Sequence, residues 1–346
     1  MKIALFAYVD SFIWDLLEAI WEHDILLNVR YPRMGKRVEN AVYGYLDGET
    51  VREWLEWCDI AIFDFARDPL PLATKLKQEG AIKCRIVVRF YDHELWQPLE
   101  MQYTNWSVID KMIFLNKCIY ETFLKKLEYF QGPQAVEKFL KNVEVHFIPT
   151  SVDVDKFRFV KDVNSFGKNL VYSGLLHHRK RIFTILETFY ELLKHDPEWR
   201  LFIHGEWLDS IYRDWCMDLI RDYGLSGKVF FDSWIPRDTW LDIASSYYRD
   251  KDIFISNSAH EGEHVACLEA AACGVYPLVH YFPCCLEFYK PKWVFKTQVE
   301  LLEKILEWSS KSPDEKLRLA MEAREWIVEK FDKKKIVPVL KKVVLE

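Results

Sequence analysis

Short apolar runs rich in β-formers alternate with longer amphipathic segments along the whole chain, and this rhythm limits the possible folds more than any other feature. KIALFAYV (2–9), DIAIFDF (59–65), CRIVVRF (84–90), KMIFL (111–115) and VEVHFI (143–148) read as strands, with helical patterns such as 14–22 and 117–129 between them. Strands separated by segments long enough to cross a sheet face make βαβ units and a parallel sheet. The pattern breaks at RFVKDVNSFGK (158–168), a polar stretch with a glycine that reads as a linker. It then restarts with the strands NLVYSG (169–174), WRLFIHG (199–205), KVFFDSWI (228–235), DIFISNS (252–258) and VYPLVH (275–280). Helical patterns at 297–309, 312–329 and 333–343 close the chain. The expected architecture is α/β, with two doubly wound, Rossmann-like domains at 1–157 and 169–330 and a final helix at 331–346. Sheets of this kind bind ligands outside the carboxyl ends of their strands. Two such domains facing a cleft suit a two-substrate enzyme.

Composition removes other classes. Half of the 346 residues are hydrophobic, enough for a large core and too many for a disordered chain. A net charge of −6 gives no global attraction to nucleic acid or anionic lipid. No apolar run approaches the roughly 20 residues of a membrane span. The apolar start MKIALFAYV meets Asp10 at once and does not read as a signal peptide. The eight cysteines form no C-x-x-C pair and mostly sit in apolar runs, where cysteine acts as a small hydrophobe. The expected location is the cytoplasm or the membrane periphery.

The stretch DIFISNSAHEGEHVACLEAAACGVYPLV (252–279) carries the chemistry. A buried strand leads into a polar loop with Glu261-Gly262, then into a small-residue helix from about Val265 to Cys273 that Gly274 ends. Glu261 lies in the loop and Glu269 two turns into the helix, so both can face one ligand. The amides at the helix start suit an anion. The same loop contains H-E-x-x-H (260–264), a string that binds zinc when both histidines share a helical face. Here a strand precedes it and Gly262 interrupts it, which argues against a metal site.

The string SAHEGEHVACLEAAACG resembles the signature of family-4 retaining glycosyltransferases of the B-type fold, with both glutamates, Gly262, Ala270, Ala272 and Gly274 in place. The resemblance implies that Glu261 contacts the donor sugar, that the backbone of Gly262, Glu263, His264 and Val265 faces the donor, and that Glu269 binds the ribose. HFIPTSVDVDKF (146–157) is similar to the segment that closes the family's first domain. LVYSGLLHHRKRI (170–182) is similar to the opening of its second, where an arginine and a lysine bind the donor pyrophosphate. Leu175 stands where that arginine usually follows Gly174, so the phosphate role falls to Lys180 with Arg179, with Arg181 as the alternative register. By the same likeness Gly205 turns near the nucleotide, and Trp234 and Ile235 lie near the base. In VVRFYDHELW (87–96), Tyr91-Asp92 occupies the register of the family's H-D, and His93 follows as the candidate catalytic histidine of the acceptor side. Asp10 falls where members carry a glycine-rich turn.

The resemblance further implies that the C-terminal helices cross back to the first domain. It implies transfer of a hexose-like sugar with retention and no metal or other cofactor, a nucleotide diphosphate sugar (UDP- or GDP-linked) being the donor substrate. The acceptor would be a glycan, a lipid-linked molecule or a small molecule, not nucleic acid. A nucleotide-sugar epimerase of the same fold and a non-catalytic nucleotide-sugar-binding scaffold are the alternatives.

Overall fold

The computed structural model describes every residue except 10–12, 32–39 and 234, and all side chains of those residues except that of Asp238. Asp10 and Trp234 therefore lie outside the described residues. The chain divides into two compact units, Met1–Ser151 with Lys333–Glu346, and Val152–Asp332.

The first unit is built on strands β1 (Lys2–Val9), β2 (Asp24–Tyr31), β3 (Val42–Tyr43), β4 (Ile60–Asp64), β5 (Arg85–Phe90), β6 (Lys111–Phe114) and β7 (Glu144–Phe147). Their order is β3-β2-β1-β4-β5-β6-β7, and every neighbouring pair is parallel. The central strands are apolar without alternation because helices cover both sheet faces; Ile3, Ala4, Leu5, Ile60, Ala61 and Ile62 are fully buried. The direction of winding reverses between β1 and β4. The last helix, Lys333–Leu345, belongs to this unit. Its Val337, Leu340, Val343 and Val344 share one core with Leu16, Leu17, Ala19 and Ile20 of the helix Trp14–Ile20. Arg85 donates hydrogen bonds of 2.7 Å to the carbonyls of Leu345 and Glu346. A cation there meets the unpaired carbonyls and the negative end of the helix dipole.

The second unit holds β8 (Asn169–Ser173), β9 (Arg200–His204), β10 (Val229–Asp232), β11 (Ile253–Ser256), β12 (Tyr276–His280) and β13 (Val294–Phe295). The sheet is parallel, in the order β10-β9-β8-β11-β12-β13. Its winding reverses between β8 and β11. Among the described residues no helix is long and apolar enough to cross a membrane.

The boundaries differ from the sequence reading. The first unit stops at Ser151, and the second begins at Val152, whose N–H donates to Phe331 O at 2.7 Å. Residues 158–168 are part of the second unit rather than a linker. The buried Lys161 ammonium donates to the carbonyls of Arg249 (2.8 Å) and Lys251. Val160 N–H donates to Cys273 O at 3.3 Å. Phe159 and Lys161 cover Gly274 so closely that a Cβ there would lie 2.7 Å from each. The stretch reads as polar because its charges bond to backbone groups distant in sequence, which composition does not reveal. The final segment likewise starts at Lys333 and not at 331, since Phe331 still fills the second unit.

Candidate active site

In the second unit the loops after β8 and β11 meet at the point where the winding reverses, the usual ligand position of an open α/β sheet. β8 ends in Ser173-Gly174 and β9 in His204-Gly205. Gly205 has φ +154°, and a Cβ there would lie 1.9 Å from the carbonyl oxygen of Gly174, so only glycine lets the two turns touch. A 3₁₀ turn over His178–Lys180 follows, and Arg181 adopts the left-handed conformation (φ +54°) before the helix Ile182–His195. From the β11 side, Ala259 N–H donates to Arg179 O at 2.9 Å, and the Arg179 guanidinium donates to His260 O at 3.1 Å. The two loops thus form one surface.

At its centre Glu261 and Lys180 form a buried ion pair through Oε1 and Nζ, with side-chain exposures of 7% and 9%. Ser258 Oγ donates to the same oxygen at 2.6 Å, and Arg179 Nη1 lies 4.0 Å from Oε2. Burial opposes a charge on Glu261, yet Lys180, His264 and Arg179 hold its carboxyl down at about 2. Two cations against one carboxylate leave a net positive charge at the centre of this surface. His177, beside them, is lowered to about 4 by burial and then by Lys180 and Arg179.

His264 caps the helix Val265–Ala272, and its ring is pinned at both nitrogens. Nδ1 lies 2.6 Å from Ser256 Oγ and Nε2 3.2 Å from Ser173 O. A carbonyl only accepts, so Nε2 carries the proton and Nδ1 accepts from the serine. Burial first, and then Lys180, lower its pKa to about 4, so the ring is neutral at pH 7. His264 therefore ties the end of β8 to the end of β11. Because both its nitrogens are engaged and 257–264 is not helical, the H-E-x-x-H string lacks the register of a zinc helix.

Glu269 projects from the same helix, is 3% exposed, and lies 2.5 Å from Arg237 Nη2. The contact is an ion pair, and Oε1 accepts no directed hydrogen bond. Gly262 and Glu263 are buried in the loop, Val265 opens the helix, and Ile235 is half-buried. Arg181 Nη1 lies 3.3 Å from His280 Nε2.

The first unit carries a polar cluster after β4 and β5. Arg89 bonds Asp64 at 2.7 Å and Asp15 at 2.8 Å, all three buried. Tyr91 is 5% exposed, stacks on Phe65 at 4.1 Å and donates to Asp64 at 3.2 Å. It packs the strand end. Asp92 is buried and His93 half-buried, with His93 Nδ1 2.9 Å from Arg67 Nη2. Glu94 is fully buried and accepts from the N–H groups of Ala66 (2.9 Å) and Tyr91 (3.2 Å). Burial pushes its carboxyl up to about 8.

The structure thus brings Arg179, Lys180, Glu261 and His264 together in one unit, and Tyr91, Asp92 and His93 in the other. Nothing in the sequence pattern singled out Arg237, Arg67 or Glu94, whose partners are 28 to 33 residues away without a repeating spacing. His204, stacked on Trp240 at 4.4 Å, was legible only as the residue before Gly205.

The sequence pattern described as "Glycosyl transferases group 1" matches residues 153–326. The GDP-mannose:cellobiosyl-diphosphopolyprenol alpha-mannosyltransferases of Xanthomonas campestris and Xanthomonas oryzae pv. oryzae are each 29% identical over 136 residues, 39% of this chain. The chain spans 34% of the length of these curated relatives. Anabaena HepE in complex with UDP-glucose superposes with a TM-score of 0.76 at 12% identity, over 99% of this chain and 98% of that one. Sucrose-phosphate synthase from Thermosynechococcus elongatus gives 0.71 at 14% identity, over 99% and 98%. At such identities the likeness to solved structures is one of fold, two Rossmann-like parallel-sheet domains. The family pattern covers half of the chain, including the whole Lys180–Glu261 cluster and Glu269, and the chain belongs to the glycosyl transferases group 1 family.

Proposed function

We propose that the chain is a retaining glycosyltransferase of the family-4 type that moves a hexose-like sugar from a nucleotide diphosphate sugar to an acceptor without a metal. The observation that carries this reading is the buried Lys180–Glu261 pair with Arg179 beside it, at the carboxyl ends of β8 and β11. Breaking the anomeric C–O bond leaves negative charge on the nucleotide diphosphate. An ammonium and a guanidinium fixed in place stabilise that charge without reorganising during the step. Glu261, kept ionised, orients the sugar hydroxyls, and Glu269 holds the ribose. The acceptor oxygen attacks on the face that the phosphate leaves, and its proton passes to the departing phosphate oxygen. The names of the relatives supply nucleotide diphosphate sugars of two bases, GDP-mannose and UDP-glucose, and one lipid-linked acceptor. A donor of either base and a glycan, lipid-linked or small-molecule acceptor are consistent with them.

The test is a thermal-shift panel of UDP, GDP, ADP and CMP and their sugar conjugates, with and without EDTA. A ligand at a hundred times its Kd adds roughly 2.7 kcal/mol to the folded state. The expected result is a selective rise with one nucleotide that EDTA leaves unchanged, followed by turnover of its sugar conjugate. No shift with any nucleotide would overturn the reading, and a shift that EDTA removes would overturn metal independence.

A further inference from the structure

Arg181 directly follows Lys180, and its backbone is left-handed, with φ +54° and ψ +44°. Residues other than glycine are disfavoured there. The turn that brings the Lys180 ammonium to Glu261 therefore needs support from outside itself. That support comes from the end of β11. Asn257 is fully buried, and its amide nitrogen donates to Arg181 O at 3.3 Å and to Thr184 Oγ1 at 2.6 Å. Thr184 Oγ1 donates to the same carbonyl at 2.9 Å. A carbonyl only accepts, so the amide nitrogen of Asn257, and not its oxygen, must face Arg181. Asn257 Oδ1 then faces the other way and accepts from Gln298 Nε2 at 3.0 Å. Gln298 Oε1 accepts from Thr188 Oγ1 at 2.8 Å. The hydrogen bonds thus run in one consistent direction between the helix Gln298–Ser310 and the Arg181 turn. The residues flanking Asn257 also hold parts of the site: Ser256 Oγ meets His264, and Ser258 Oγ meets Glu261.

We propose that Asn257 is a positioning residue that holds the Arg181 turn in its left-handed form, and so sets Lys180 and Arg179 for the second phosphate of a nucleoside diphosphate. The step to the phosphate rests on the proposed function; the hold on the turn does not. Without the amide, Arg181 relaxes toward ordinary backbone conformations. Only the fraction of molecules that keep the left-handed turn then presents both cations, and the apparent affinity falls by that fraction.

The experiment compares the full chain with Asn257→Leu, which removes the donor at similar volume. Hydrogen exchange of residues 180–185 is expected to be about ten-fold faster in Asn257→Leu, with the helix Pro313–Phe331 unchanged. Calorimetry with UDP, UMP, GDP and GMP reads the second phosphate. The parent chain should bind one diphosphate more tightly than its monophosphate. In Asn257→Leu that advantage should shrink about ten-fold while the affinity for the monophosphate stays the same. Adding Arg181→Gly should return about five-fold of it, because glycine takes positive φ about as readily as negative. A loss of general stability alone would not move the diphosphate-to-monophosphate ratio or be reversed by a glycine at 181. Should Asn257→Leu fail to fold, Gln298→Met, which frees the far side of the amide, takes its place with the same direction expected. Unchanged exchange at 180–185 overturns the hold on the turn. Faster exchange with an unchanged ratio overturns the positioning step, and so does an Arg181→Gly change that recovers nothing. If the parent chain binds no diphosphate more tightly than its monophosphate, the proposed function fails, while exchange still decides the turn.

Discussion

At the scale of single residues, the Glu261–Lys180 pair gives different results according to how it is broken. Removing one partner strands the other charge in a buried site, at a cost of about 3–5 kcal/mol, whereas replacing both by apolar groups is close to neutral. Glu261→Ala and Lys180→Met are each expected to lower Tm, the double change Glu261→Leu with Lys180→Met to recover most of the loss, and all three to abolish sugar transfer. Near-normal turnover in folded Glu261→Ala would remove the pair from the donor site. Acid acts on the same cluster. His264 is neutral in the fold at a pKa of about 4, while the unfolded chain takes up the proton at the ordinary value of about 6.5. The stability this group gives is complete above about pH 6.5 and is lost as the pH falls toward 4. Glu261, held near 2, adds a second loss only below about pH 4.5. Between pH 7 and pH 4.5 His264→Gln should therefore lose less stability than the parent chain; the same pH dependence of Tm in both would refute the assignment. The glutamates were legible in the sequence because a loop-to-helix motif fixes their spacing, and Lys180 through the likeness of 170–182 to the opening of the family's second domain. The role of His264 was not, since Ser173, 91 positions earlier, meets its ring only when β8 and β11 lie side by side.

At the scale of elements, glycine positions separate packing from backbone conformation. Gly205 and Gly224 both have positive φ, but a Cβ at 205 would strike Gly174 O at 1.9 Å, while nothing lies within 4 Å of one at 224. Gly224→Ala should cost about 1 kcal/mol, the strain of a left-handed alanine. Gly205→Ala should cost at least about 3 kcal/mol, because the β8 and β9 turns must separate. Urea unfolding of the two variants checks this, and equal costs would mean that the turns do not touch. The glycine after each strand was visible in NLVYSG and WRLFIHG, and so were the strands, whose unbroken apolar runs admit little else. The 158–168 segment was misread for the opposite reason. Lys161 finds the carbonyls of Arg249 and Lys251 some 90 positions away, and no local pattern encodes such a partner.

For the molecule as a whole, each unit contains a buried group whose protonation opposes the other's. In the first unit Glu94 is pushed up to about 8 by burial, although the N–H groups of Ala66 and Tyr91 favour its charge. The fold binds this proton more tightly than the unfolded chain, so the stability Glu94 gives is complete below about pH 4.5 and is lost as the pH rises through 8. In the second unit His264 and His177, both near 4, have the reverse sign and add stability as the pH rises to about 6.5. Buried Lys161, lowered to about 8, begins to lose its proton at the top of that window and adds stability to the second unit in the same direction. A single melting curve mixes these terms, whereas hydrogen exchange reads them strand by strand. Between pH 5.5 and 8, protection factors of β4 and β5 are expected to fall and those of β8 and β11 to rise. Glu94→Gln should flatten the first response and leave the second intact, because the amide keeps an acceptor for Ala66 and Tyr91 but has no proton to lose. A fall in β4 and β5 that persists in Glu94→Gln would mean that another group sets the pH response of the first unit, and that the carboxyl bracing the Arg67 and His93 loops is not the proton that fold retains.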